Sequence, residues 1–296
     1  MQNYSQGRRQ WLLLPPLHVH MTSPFSATPT ISFIGGGNMA SAILGGLLSQ
    51  QWPIDRLHVV EPFDEQRARL KQQFGIQAFG AADANLADSR LVVWAVKPQT
   101  FQEAANTVAP FVPSALHLSV AAGIRSDSIA RWLNTEALVR AMPNTPALVG
   151  KGMTGLFARD GVSAEDRALI QTVLQPTGQL VWLKSEAQLD AVTALSGSGP
   201  AYVFFFLEAM IQAGAELGLD RNEAHQLAVA TFVGASALAQ ASDEPPELLR
   251  QRVTSKGGTT YAAITHMEST DVKRHFVDAM KAAAVRAKEL GDEFGA

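Results

Sequence analysis

The chain has 296 residues and a formal net charge of −3, length enough for two domains and a large core, and no basic cluster that would mark a nucleic-acid surface. It contains no cysteine, which excludes disulfides, thiolate nucleophiles and cysteine-built metal sites. Its seven histidines (His18, His20, His58, His117, His225, His266 and His275) are scattered without metal-binding spacing, so each reads as a surface or packing residue and no metal site is expected.

In chain order, residues 1–29 read as a disordered extension. Arg8–Leu14 resembles the opening of a signal peptide, but Pro15 and Pro16 cut its apolar run short and no small-residue cleavage site follows. Met21 opens a Ser/Thr/Pro-rich spacer and is an alternative start. Elsewhere glycine and charge interrupt the apolar runs well short of about 20 residues, so no membrane span is expected and the protein reads as soluble and cytoplasmic.

Thr30–Ile34 is a short β-rich run, followed by a glycine turn and a helical pattern to Leu48. Gly35, Gly37 and Ala40 fit G-x-G-x-x-G/A: a tight turn, room for a pyrophosphate, and close helix–strand packing. The phosphate then lies on the helix N-terminus near Asn38 and Met39. Leu57–Glu61, Leu91–Val96 and Ala115–Val120 read as further strands separated by helices, which predicts a Rossmann unit. Glu61 stands where an acid accepts hydrogen bonds from the adenosine ribose and repels a 2′-phosphate, favouring NAD. Arg67 and Arg69 follow within two helical turns and offer the opposite preference, so the choice between NADP(H) and NAD(H) stays open.

The segment Ala95–Gln99 ends one strand and Val120–Gly123 the next, so both should border the nicotinamide crevice, with Lys97 the one charged residue there. Ala137–Pro143 reads as another strand, closing on Met142–Pro146, where Asn144 and Thr145 bring polar atoms to the crevice. From Glu186 the strand signals stop. Leu189–Leu217, Glu223–Gln240, Pro246–Val253, Thr259–Met267 and Asp271–Leu290 carry helical periodicity, and Ser196–Pro200 should loosen or kink the first of them. Tyr202–Leu207 is apolar on every face, which calls for a second subunit and interleaved helices. In Arg252–Ile264, three hydroxyls (Ser255, Thr259, Thr260) surround Gly257 and Gly258 at the opening of a helix, a setting suited to a small carboxylate.

The motifs Phe33–Met39, Ala95–Gln99, Met142–Pro146, Ala194–Tyr202 and Val253–Thr260, in this order, resemble pyrroline-5-carboxylate reductase from about Thr30 to the C-terminus. The resemblance implies an α/β fold, with a Rossmann-type dinucleotide-binding domain over residues 30–185 and an all-α dimerisation and substrate-binding domain over 186–296. It implies dimers, often assembled into a decamer. The implied reaction is hydride transfer from NAD(P)H to the imine carbon of 1-pyrroline-5-carboxylate, giving L-proline. Carried over by position, it places Gly258, Thr259 and Thr260 on the substrate carboxylate with Ser255 nearby, and Glu186 close to the ring. Thr193 falls within reach of the imine nitrogen, where its hydroxyl or a water is the candidate proton donor. Cofactor contacts fall on Ile34, Gly35, Gly36, Gly37, Asn38 and Met39, on Ala95, Val96, Lys97 and Pro98, and on Ala121, Ala122 and Gly123.

Two positions depart from the family's usual pattern: Lys256 stands where many members have proline, and Glu61 where many lack an acid. The alternatives are a reductase of another cyclic imine or hydroxyacid, or a non-catalytic NAD(P)-sensing protein. β-Hydroxyacid dehydrogenases carry Gly-Ser-Gly-x-x-x-Lys-x-x-Asn on the long helix, and Val203 and Phe206 occupy the Lys and Asn positions here. The hydroxyl-rich loop argues against a pure sensor.

Overall fold

A computed structural model describes residues 28–294. The expected extension lies almost wholly outside them. Five parallel strands alternate with helices: β1 (Thr30–Ile34), α1 (Asn38–Ser49), β2 (Leu57–Val60), α2 (Asp64–Phe74), β3 (Ser89–Trp94), α3 (Pro98–Val108), β4 (Leu116–Ser119), α4 (Ser126–Leu133) and β5 (Leu138–Met142). Then β6 (Gly152–Ala158) runs antiparallel to β5, and α5 (Ala164–Leu174) returns the chain to β7 (Gly178–Trp182), parallel to β6. The seven strands lie in the order β2-β1-β3-β4-β5-β6-β7.

Along β1 and β3 successive side chains alternate between two cores. Ile31, Phe33, Leu91 and Val93 face one, while Ile34, Val92 and Trp94 face the other. Helices cover both faces, so these strands are buried except at Arg90, as parallel strands are. Ile43, Leu44 and Leu47 of α1 and Leu169, Ile170 and Val173 of α5 fill the first core. Phe101 and Val108 of α3 and Ile129 and Leu133 of α4 fill the second.

From Gln188 the chain is helical: α6 (Gln188–Val192), a π-turn (Thr193–Gly197), α7 (Gly199–Glu216), α8 (Arg221–Gln240), α9 (Pro246–Arg252), α10 (Thr259–Ser269) and α11 (Val272–Phe294). Asp220 and Glu223 form a capping box that starts α8. Gly155 in β6 explains how the two halves meet: a Cβ there would fall 2.9 Å from Val192 Cγ1. The end of α11 comes back to the sheet, with Leu290 and Phe294 against Gly123 and Gly291 beneath the Arg125 guanidinium.

One expectation needs correcting. Ser196–Pro200 does loosen the helix, but as a π-turn that does not interrupt it. The run Gln188–Glu216 is therefore 29 residues long, and its 18-residue apolar window has mean hydropathy 1.3, enough to cross a membrane by length and composition. Its side chains are open within this chain, Phe204 and Phe205 being 58% and 67% exposed. Such a face requires a cover of protein or lipid.

Candidate active site

The strand order reverses between β1 and β3, and ligands of open parallel sheets bind at the carboxyl ends on either side of such a point. The glycine turn sits there. Gly35 has φ +93° and its N–H donates to Val60 O at 2.8 Å; a Cβ on it would lie 2.6 Å from Ala95 O. Only glycine satisfies both demands. Gly36 is held from two sides, its N–H donating to Glu61 Oε2 at 2.8 Å and its carbonyl accepting from Gln66 Nε2 at 2.6 Å. Gly37 is exposed, with nothing within 4 Å of the place a Cβ would take. It caps α1 without a side-chain bond, and the first turn carries no acid. The N–H groups of Asn38, Met39 and Ala40 thus lack intrahelical acceptors beside the open Gly37, which fits a pyrophosphate.

Glu61 follows β2 directly, where its offset from Gly35 places it. It is 5% exposed. Oε2 accepts from Gly36 and Oε1 from the Phe63 N–H at 2.9 Å, so the carboxylate holds the glycine turn to the loop after β2. Arg67 donates to the carbonyls of Glu61 and Pro62, both at 2.8 Å, and pairs with Asp64. Arg69 is exposed and pairs with Glu65 at 2.6 Å.

The remaining strand ends border the same crevice. Ala95 and Val96 are half-buried, Lys97 is exposed, and Pro98 begins α3. Ala121 is buried and Ala122 exposed, while Gly123 turns at φ +72° under Leu290 and Phe294. Beyond β5, Asn144 donates to Ser196 O at 3.0 Å and accepts from the Met153 N–H at 2.9 Å, tying the crevice to the π-turn.

On that turn, half-buried Thr193 donates its hydroxyl to Leu189 O at 2.8 Å, which leaves its oxygen able to accept. Glu186 lies in a charged network between the two halves. It accepts from Ser126 N and Ser126 Oγ, both at 2.6 Å, and pairs with buried Arg140. Burial pushes its carboxyl up, but the Ser126 hydroxyl and the Arg140 charge outweigh that and hold it below its ordinary value. With these donors engaged, Glu186 joins the sheet to the helices. Beside it, Arg125 pairs with Asp190 at 3.2 Å.

Ser255, Thr259 and Thr260 are exposed. Gly257 turns at φ +77°, Gly258 donates to Ser255 O at 3.0 Å, and α10 starts on Gly258 without a side-chain cap. Among the described residues, no hydrogen bond or ion pair joins this loop to Thr193, Glu186 or the glycine turn. Sequence reasoning missed Ser126 and Arg140 because they adjoin Glu186 only in space. Pro200, four residues after Ser196, was the available signal for a helix carbonyl in need of an outside donor.

Over 271 residues the chain is 42% identical to the pyrroline-5-carboxylate reductase of Pseudomonas aeruginosa, spanning 91% of this chain and 99% of that one. The chain belongs to the pyrroline-5-carboxylate reductase family. Its Haemophilus influenzae relative is 38% identical, with 88% of this chain and 97% of the relative covered. The solved structure of the reductase from Coxiella burnetii, at 36% identity, superposes with a TM-score of 0.84 over 89% of this chain and 99% of that one. The Plasmodium falciparum reductase, solved with NADP bound, gives 0.79 at 28% identity over 89% and 98%. The family described as "Pyrroline-5-carboxylate reductase dimerisation" matches residues 186–290, and "NADP oxidoreductase coenzyme F420-dependent" matches 30–123. The apolar α7 face and the Ser255–Thr260 loop of this reductase both fall inside the dimerisation match, which makes a second protein chain the fitting cover.

Proposed function

We propose that the chain reduces 1-pyrroline-5-carboxylate to L-proline with NADP(H), as a cytoplasmic homodimer or assembly of dimers. The observation that carries the reading is the glycine turn, seated at the switch point beneath an uncapped helix, in a chain that matches its relatives almost end to end. Domain limits near residues 185 and 186 follow the last strand and the start of the dimerisation match.

The glycine turn and the N–H groups of Asn38 and Met39 would hold the pyrophosphate, and Ala95–Pro98 and Ala121–Gly123 would flank the nicotinamide. The reduced nicotinamide, when bound, supplies the hydride. The chain's task is then orientation, because a protonated imine is already a good acceptor. Ser255, Thr259 and Thr260 grip the carboxylate with hydroxyls and the free N–H groups of the first turn of α10, on the backbone that Gly258 leaves open. Their exposure in a single chain supports a site in which this loop closes over the crevice of the partner subunit. Thr193 has its proton on Leu189 O, so the role that fits it without rearrangement is accepting the N–H of a substrate that arrives protonated; donating the proton itself requires the hydroxyl to rotate away.

The test is oxidation of NADPH, and separately NADH, with 1-pyrroline-5-carboxylate as acceptor. A kcat/KM near or above ~10⁴ M⁻¹s⁻¹ is expected with NADPH. Protein that binds nucleotide but oxidises neither cofactor would overturn the reading. Thr193→Ala with full turnover and an unchanged pH profile would remove Thr193 from the mechanism.

A further inference from the structure

In a regular helix the carbonyl of Ser196 would accept from the N–H of residue 200, but residue 200 is proline and has none. The local bonds leave the gap open. The π-turn closes with the Ser198 N–H on Thr193 O at 2.8 Å, and the Ala201 N–H goes to Ser198 O at 3.0 Å. The donor for Ser196 O comes from the sheet, as Asn144 Nδ2 at 3.0 Å. The other end of that amide accepts from the Met153 N–H at 2.9 Å. The β5–β6 ladder stops at the Met142–Gly155 pair, so Asn144 extends it with a side chain in place of a backbone carbonyl. One neighbour is a pure donor and the other a pure acceptor, which fixes the amide's orientation.

We infer that Asn144 is a positioning residue for the reduction: its two hydrogen bonds set how deeply the Thr193–Gly197 turn sits against the carboxyl edge of the sheet. The joint is tight, since a Cβ on Gly197 would fall 2.5 Å from Met142 Cε and one on Gly155 within 3.0 Å of two Val192 atoms. A shift at Ser196 therefore carries to Thr193, three residues earlier on the same turn. The inference rests on the proposed reaction, in which Thr193 faces the imine while the sheet edge carries the nicotinamide. Displacing such a group by about 1 Å costs on the order of 100-fold in rate.

Two variants test it. Asn144→Asp keeps an acceptor for Met153 but turns an oxygen toward Ser196 O, so only the link to the π-turn is lost. At pH 8 its kcat should fall ~10- to 100-fold, with the KM for NADPH close to wild type and Tm lowered less than in Asn144→Ala. Its activity relative to wild type should recover as pH falls, because a protonated Asp again donates to Ser196 O. Asn144→Ala loses both links, so it should lose both kcat and Tm.

Wild-type kcat for N144D at pH 8 overturns the proposal, as does a loss with no pH recovery or one accounted for by Tm alone. Wild-type turnover in the same assay checks the underlying reaction. Its absence overturns that reading and this proposal together, whereas an active wild type with an unaffected N144D overturns this proposal alone.

Discussion

Glu61→Gln separates two roles for an acid at the end of β2. In the structure its carboxylate accepts from the Gly36 and Phe63 N–H groups at 2.8 and 2.9 Å while 5% exposed. Glutamine keeps one acceptor and turns an NH₂ toward the other N–H, setting two donors face to face at a cost of about 1–3 kcal/mol. If about 2 kcal/mol of that falls on the turn that receives the pyrophosphate, cofactor affinity drops roughly 30-fold. The pyrophosphate is common to both nucleotides, so NADPH and NADH should weaken together, their Kd ratio holding within about threefold. Calorimetric titration of both cofactors into wild type and E61Q measures this directly. An acid that faced the ribose would behave otherwise, its neutralisation favouring the 2′-phosphate. A selective gain of about tenfold or more for NADPH would refute the reasoning.

Three further outcomes follow. Gly35→Ala should cost at least about 2 kcal/mol and abolish nucleotide binding, since φ is +93° and the new Cβ would meet Ala95 O at 2.6 Å; a Tm within a degree of wild type would contradict it. His117 is buried and accepts the Trp94 Nε1–H at 3.0 Å, and burial pushes it from 6.5 down to about 4. The unfolded chain then binds the extra proton first, so this contribution is complete above pH 6.5 and fades toward pH 4, by about 3 kcal/mol in all. Urea midpoints that fall with acid alike in wild type and His117→Asn would rule this out. Arg140→Met leaves the Glu186 carboxylate without its buried partner and should cost about 3–5 kcal/mol. Adding Glu186→Gln should recover part of that loss in urea unfolding, and purely additive losses would count against the pairing.

The Rossmann unit was legible because its signals are local: a glycine turn with fixed offsets, and strands buried on both faces. β6 and β7 were harder to read. Gly152, Gly155 and Gly178 weaken the strand pattern, and they are needed because Ala147, Val192 and the Gly152 backbone press on those positions. The location of Glu61 could be read from its offset, but its partner could not, because the Gly36 bond depends on how turn and strand meet. The Glu186 network joins residues 46 and 60 apart in sequence, beyond any periodicity. The chemistry of Ser255–Thr260 was plain from its hydroxyls and glycines, whereas its working position depends on a surface that one chain does not contain.

The return of α11 to the sheet makes the two halves a clasp. Arg125 reaches both Asp190 at the start of the helical half and Asp292 near its end, at 3.2 and 3.8 Å. Gly291 leaves the space into which that guanidinium fits. A chimera that cut the chain only near residue 185 would carry Asp190, Gly291, Asp292 and Phe294 away from the arginine and the glycine they were shaped for. Grafting these helices onto another nucleotide-binding unit therefore means transplanting Gly123, Arg125, Ser126 and Arg140 as well. The exchangeable module is larger than the boundary in sequence suggests.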